Sequence, residues 1–528
     1  MKGRWKKSWT WGALGGAVYL ALLVLLVRAE RGAPGATITS LGEALWFSLV
    51  TLTTAGYGDC FPVTPWGRVI GVVFLLFSAG FLAFCIGLVL SAVAGKLLPR
   101  LRLALSGKSR WYLFPVGCRE AAVLAAALLK EEPDAGAVFW REDPALRPEW
   151  TGLLAGVDWY WGDCPWQSFL RRRPNSTVLI LGPEEQRNYA LALEAAALDV
   201  PVYCQSSLTP KELPNGLTFF DRRACCARLY WQREPVRPGE RELLVLGAGE
   251  YAAALVEQGL LEQVSLPGEA VTWHLFGDWS GFAGDHPRLR AAVNIGGSLP
   301  GEDTLVFHPE PWNRDPDLLE RAGRILICGD RDEENLEVFR RLTRWFPVPG
   351  QIHLRLARPL PGLGAAVFGG DEELFTPEQI LRRGLDRAAM EMHRCYRRSA
   401  GDGAPRWEEL SPFLQRSNRA AADHLPAKLR LLLGEELSGP VTRADCRRAF
   451  CRWQESRGAQ RELYRELEHR RWLRFYALHN WQYGDRDDAL RRHPALLPFG
   501  ELSPAEQAKD DYAWELLGDL GREGKEEP

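Results

Sequence analysis

Two long uncharged runs open the chain. Residues 11–27 are mostly Gly, Ala, Val and Leu, and residues 69–93 form a second run without charge. At about 1.5 Å per residue, each is long enough to cross a hydrocarbon core of about 30 Å as a helix, the second with tilt. Between them, 41–52 is apolar and helix-compatible but too short to span, which predicts a re-entrant helix. Beyond residue 110 the pattern changes. Strands are expected over 111–116, 137–140, 157–161, 177–181, 202–205 and 217–220, with helices over 120–129 and 185–198. This alternation reads as βαβ units on a parallel sheet. It recurs with strands over 242–246, 271–276, 324–328 and 352–357 and a helix over 252–261. After residues 401–405, Gly-Asp-Gly-Ala-Pro, the pattern is helical with no obvious strand.

Charge orients the two runs. Lys2, Arg4, Lys6 and Lys7 precede the first, and Lys96, Arg100, Arg102, Lys108 and Arg110 follow the second. The positive-inside rule puts both ends in the cytoplasm and 28–68 outside, so the chain is expected in the plasma (inner) membrane with its bulk cytosolic. A signal peptide fits the first run poorly, because no small-residue cleavage site is followed by a polar start. Trp5, Trp9, Trp11 and Trp66 fit an interfacial belt.

Composition narrows the class. At roughly 150 residues per domain, 528 residues predict three to four domains. Sixty-five Lys and Arg against 67 Asp and Glu leave a net charge of −2, which argues against nucleic acid as a partner. A mean hydropathy of −0.20 with 46% apolar residues excludes a polytopic transporter and a disordered chain. The 11 cysteines are scattered with no Cys-x-x-Cys, which fits a reducing compartment and neither a disulfide framework nor a zinc ribbon.

The re-entrant segment runs into Thr53-Thr54-Ala55-Gly56-Tyr57-Gly58-Asp59. This resembles the potassium-channel signature, with Ala55 where the common form has Val. The resemblance implies that carbonyls of Thr54, Ala55, Gly56 and Tyr57, with the Thr54 hydroxyl, replace the hydration shell of K+. Gly58 and Asp59 complete the filter. Gly56 and Gly58 permit backbone angles that a Cβ would block. Tyr57 is expected to pack near Trp46 and Phe47. Such irregular backbone is tolerated at membrane depth only when buried in protein or lining an aqueous path. Thr64-Pro65-Trp66-Gly67, opening the second run, also matches the family. One loop per chain and four per filter imply a homotetramer in the lipid membrane. Gly80, within the second run, is a gating hinge or a close-packing glycine.

Both halves of the α/β region resemble RCK domains, regulators of potassium conductance. Shared details are Gly162-Asp163 after one strand, and a strand–acidic turn–helix with Asn188 in one copy and Asn335 in the other. The resemblance implies a ring of eight copies, two from each of four chains. The only methionines after Met1 are Met390 and Met392, so no internal start would supply a separate ring subunit. Gly247-x-Gly249-x-x-Ala252 opens a helix after a strand, as in nucleotide-binding loops, with Asp278 about 29 residues past Gly249 as a late ribose acid. The first copy, at 115–120, has only Gly117. The alternative in each copy is a sheet used for assembly alone. The leucine-rich helices over 190–198 and 336–342 fit either ring interfaces or core.

The last quarter carries Arg416-Ser417-Asn418-Arg419, Glu468-His469-x-Arg471-Trp472, Trp481-x-Tyr483-Gly484, His493-Pro494 and Lys509-Asp510. Together these resemble the ryanodine-receptor-type repeat. Asn480 stands where that family usually has Gly, and Asp511 where it usually has Arg. Trp472, Trp481 and Tyr483 would stack a planar base, while His469, Arg471 and Lys509 would meet phosphates or carboxylates. The alternative makes the tryptophans core anchors and Glu468–Arg471 a helix-surface pair. Prokaryotic members of this family imply a sensor of nucleotide-type messengers, some in antiviral systems.

The expected fold is a membrane α-helical pore, with two spans and a pore helix, followed by two Rossmann-like α/β domains and a small all-α domain. The expected boundaries are a pore over 1–94, a linker over 95–110, RCK-like domains over 111–236 and 240–398, a helical domain over 403–518 and a charged tail over 519–528. The expected function is a ligand-gated potassium channel that carries K+, is not an enzyme, and answers to a small cytoplasmic ligand. One rival is a housekeeping channel gated by a divalent cation or dinucleotide, with Asp278, Asp330 and Asp332 as candidate ligands. The other is a membrane-tethered NAD-dependent enzyme.

Overall fold

The computed structural model describes residues 17–53, 55–92, 98–140, 149–162, 165–208, 210, 214–264, 269–299, 301–400, 403–434 and 441–522. The expectations placed on residues 1–16, Thr54, Lys96, Asp163 and 523–528 lie outside them. The chain forms two units, residues 1–106 and 107–528.

In the first unit a helix over 17–30 is followed by Leu41–Leu52 and Pro65–Ala92. The short helix starts at Ser40 because of a capping box. The Ser40 hydroxyl accepts from the Glu43 amide, and the Glu43 carboxylate accepts from the Ser40 amide at 2.8 Å. Leu23, Leu26, Ile38, Ala44 and Phe74 form the core that joins the three helices. Pro65–Ala92 has 28 residues, about 42 Å at 1.5 Å each. Among the described residues no helix is long and apolar enough to cross a membrane. Several side chains of Pro65–Ala92 and the start of the first run lie outside that description, and the sequence from Val69 to Ala92 carries no charge.

The second unit holds two parallel sheets. The first has β1 (Arg110–Phe114), β2 (Ala135–Trp140), β3 (Trp159–Gly162), β4 (Ser176–Ile180), β5 (Val202–Gln205) and β6 (Leu217–Phe220), in the order 3-2-1-4-5-6. The second has β7 (Glu242–Leu246), β8 (Thr272–Phe276), β9 (Asn294–Ile295), β10 (Thr304–His308), β11 (Arg324–Ile327), β12 (Gln351–Arg355) and β13 (Ala366–Phe368), in the order 13-12-11-7-8-10-9. Apart from the added β9, both are the doubly wound order in which the chain reverses beside its first strand. Near-continuous apolar strands such as Leu243–Leu246 fit this, since both faces are covered.

The two asparagines have one structural job. Asn188 donates from Nδ2 to the carbonyls of Gly182 and Gln205, at 2.7 and 3.0 Å. Asn335 donates to those of Gly329 and Arg355, at 3.0 and 2.9 Å. Each buried amide ties two neighbouring strands at their ends: Asn188 joins the turn after β4 to the end of β5, and Asn335 the turn after β11 to the end of β12.

The C-terminal part packs helices Pro412–Asp423, Leu425–Leu433, Arg443–Glu455, Ala459–Leu478 and Tyr512–Leu520. It also contains a two-stranded ladder, Gln482–Tyr483 with Arg492–His493, which corrects the all-α expectation. Ladders this short leave no apolar alternation to read. Ala420, Phe475 and Leu478 belong to the same core as β1, β7 and β8, so these helices are continuous with the sheets.

Candidate functional site

The pore loop leaves its helix at Thr53, whose hydroxyl donates to the Leu49 carbonyl at 2.8 Å. Gly56 and Gly58 have φ of +58° and +74°, the left-handed region that favours glycine. Tyr57 stacks on Trp46 with centroids 6.0 Å apart and planes 6° apart. Trp46 Nε1 donates to the Asp59 carboxylate at 2.7 Å. The loop is thus braced at two points by one side chain of the helix before it. Ala55 is exposed in the single chain, and Gly80 lies in the middle of Pro65–Ala92. Sequence reading missed Glu30. Its carboxylate accepts from the amides of Val63 and Thr64, both at 2.9 Å, and from the Thr64 hydroxyl at 2.7 Å. It pins the end of the first helix to the start of Pro65–Ala92, and a Cβ at Gly67 would run into it.

The second glycine loop differs from the expectation. Gly247 and Gly249 do lie between β7 and the helix Glu250–Glu262, and Ala252 sits in that helix's first turn. The two first-turn amides that a pyrophosphate would meet are taken by the chain itself. Asp330, in the turn after β11, accepts from the amides of Glu250 and Tyr251 at 3.2 and 3.1 Å. A Cβ on Gly249 would collide with that carboxylate, so glycine here serves Asp330. An internal anion sits on the positive helix end. Asp278 follows β8, but its carboxylate accepts from the Ser280 amide and hydroxyl, at 3.1 and 2.6 Å, which holds its pKa below the usual range. Asp332 accepts from the amides of Ala357 and Arg358 and pairs with Arg355 at 3.3 Å. Each acid proposed as a cation ligand is therefore engaged locally. In the first copy Trp150 covers Gly117, where a Cβ would come within 2.6 Å of the indole. The Cys118 thiol caps the helix Arg119–Glu131, and burial pushes its pKa up.

In the helical part the predicted ligand residues separate. Arg471 is buried and donates to Glu468 at 2.6 Å, and Lys428, also buried, reaches the same carboxylate at 2.5 Å. The two cations hold the Glu468 carboxyl far below its ordinary value against the cost of burial. One expectation gave Arg471 to a ligand and the alternative made Glu468–Arg471 a surface pair; the pair forms, but in the interior, where Lys428 approaches from a second helix. His469 is buried and its Nε2 lies 2.8 Å from the Leu497 carbonyl. Trp481 is buried and stacks on Phe413 at 5.4 Å. Asn480 adopts φ of +60° at the end of Ala459–Leu478, an angle asparagine tolerates, which explains its standing in for glycine. Asp511 accepts from Arg461 and Arg465, so it closes an ion pair. Tyr483 and Lys509 are 61% and 69% exposed. Half-buried Trp472 meets His493 at 5.1 Å, a neighbour the site prediction omitted.

Residues 10–94 match the Ion_trans_2 family, described as ion channel. The chain is 42% identical over 77 residues to a voltage-gated potassium channel of Aeropyrum pernix, covering 14% of this chain and 26% of that one. It is 51% identical over 43 residues to the potassium voltage-gated channel protein shk-1 of Caenorhabditis elegans, 8% of each chain. The match thus spans about a quarter or less of these relatives' length. Among solved structures, GsuK bound to ADP superposes with a TM-score of 0.34 at 13% identity, over 68% of this chain and 94% of that one. The GsuK channel bound to NAD gives 0.32 at 11%, over 68% and 81%. The N-terminal region is accordingly an ion-channel pore domain rather than part of an enzyme, which places the chain in a membrane.

Proposed function

We propose that the chain is a potassium-selective channel, assembled as a homotetramer and gated by its cytoplasmic part. The pore loop carries this reading. Two glycines in the left-handed region flank Tyr57, and Trp46 braces both Tyr57 and Asp59. Successive carbonyls of such a loop, repeated four times, offer K+ the oxygens it loses with its water. The two doubly wound sheets act as RCK-like modules, and the C-terminal helices as the sensor of a nucleotide-type messenger. A ligand gates only if it binds the open and closed states with different affinity.

Gating by a dinucleotide at the second glycine loop is less favoured, because Asp330 fills the phosphate position. The test is K+ flux from liposomes holding the full chain, with ADP, NAD, ATP or a cyclic dinucleotide added. Tyr483→Ala with Lys509→Ala should abolish the response to the active compound and leave basal flux. An unchanged response would remove the sensor role from the helical part. Point changes suit this better than deletion of 403–518, since that segment shares its core with the sheets.

A further inference from the structure

A cleft of about 1310 Å³ opens between the connector of the two sheets and the C-terminal helices. Residues 232–241 form one wall. The opposite walls are the first turns of Arg387–Ala400 and Arg443–Glu455 and both ends of Leu425–Leu433. The start of Arg443–Glu455 already carries the Asp445 carboxylate in a capping box with Thr442, and Leu425–Leu433 lines the cleft at its C-terminal end as well, so an anion would be held by side chains rather than by helix ends. The floor is apolar and buried, with Val264, Val271, Leu425 and Leu467. None of Gly247, Gly249, Ala252 or Asp278 lines it.

Among the described residues, six arginines and five carboxylates line the cleft, so the pairing decides its charge. Glu240 is held by Arg324 at 2.8 Å and Asp423 by Arg228 at 2.7 Å, both arginines lying behind the wall. Glu391 pairs with Arg394, also outside the lining, and Glu234 with Arg237 at 3.7 Å. Glu269 is exposed. Arg233 is spent on Glu373 and Arg387 on Glu378. Among the described residues, the side chains of Arg241 and Arg443 make neither an ion pair nor a hydrogen bond. The cleft thus offers two uncommitted guanidiniums above an apolar floor. Its volume is ample for a small ligand, since such pockets usually run about 300–1,000 Å³.

We propose that this cleft binds an organic polyanion of nucleotide size, with phosphates on Arg241 and Arg443 and a flat apolar part on the floor. An occupant would touch both the link between the sheets and the C-terminal helices. The proposal uses the channel reading only for its consequence; binding stands or falls separately.

The test is calorimetric titration of the full chain in detergent with ATP and with tripolyphosphate. ATP should bind, and tripolyphosphate more weakly because it lacks the flat part. Arg241→Glu with Arg443→Glu should weaken ATP at least tenfold, while Arg331→Glu, at an exposed position elsewhere, should not. If the double variant melts early, Arg241→Gln and Arg443→Gln singly should each weaken binding about threefold. No ATP binding to the wild type, equal affinity in the arginine variants, or tripolyphosphate binding as tightly as ATP would overturn the proposal. K+ flux from liposomes without ATP binding would sink this site alone; absence of flux would sink the channel reading alone.

Discussion

At the scale of single residues, glycine and carboxylate positions decide most. The left-handed backbone of Gly56 and Gly58 was legible because the peptide chemistry of the loop is local. Asp330 was not legible. It lies 80 residues from the amide of Glu250 that it caps, and no short-range pattern announces the contact. The same glycine spacing that admits a pyrophosphate admits a side-chain carboxylate, so the sequence left two readings and the contact selects one. Removing a capping oxygen typically costs about 1 kcal/mol. Asp330→Ala should therefore lower stability by about that amount in thermal melts of the full chain. No change, or a gain, would mean that Asp330 does not cap the helix.

At the scale of elements, the sheets were legible and their neighbours less so. Strands over 202–205, 217–220 and 242–246 emerged at their expected bounds, because buried parallel strands are continuous apolar runs. β9, β10 and β13 were missed; β9 and β13 are two and three residues long, and β10 ends on a half-exposed histidine. The helix Ala459–Leu478 misled for a different reason. Its Glu468, Arg470, Arg471 and Arg474 are all buried, which no amphipathic pattern signals. Arg474 donates to Asp303 at 2.6 Å and to Glu302 at 2.9 Å, and Asp303 also accepts from the Val271 amide at 3.0 Å. This fastens the C-terminal helices to the second sheet. Breaking a buried pair on one side leaves an uncompensated charge and typically costs 3–5 kcal/mol. Arg474→Met should destabilise the full chain by about that much in chemical denaturation; a loss below about 1 kcal/mol would show the pair to be dispensable.

At the scale of the whole molecule, burial sets an acid limit. Desolvation lowers His353 and His424 from 6.5 to about 3 and His479 to about 4, helped at His353 by Arg324 and at His424 by Lys428. These rings stay neutral when folded, while the unfolded chain takes up protons below pH 6.5. Stability is therefore full above pH 6.5 and falls as pH drops toward 4, each ring contributing on the order of 1.4 kcal/mol per pH unit. Melting temperature should decline steadily over that window. His424→Gln should shallow the slope; an unchanged slope would contradict the neutral state of that ring.

The architecture joins a short pore domain, its family resemblance legible from seven residues, to a second unit whose chemistry lies in long-range contacts. The central claim concerns the pore. Liposomes loaded with K+ and carrying the wild-type chain should release K+ far faster than Na+, and Gly56→Asp should abolish that release. No K+ flux from the wild type under any ligand, or equal flux from Gly56→Asp, would contradict it.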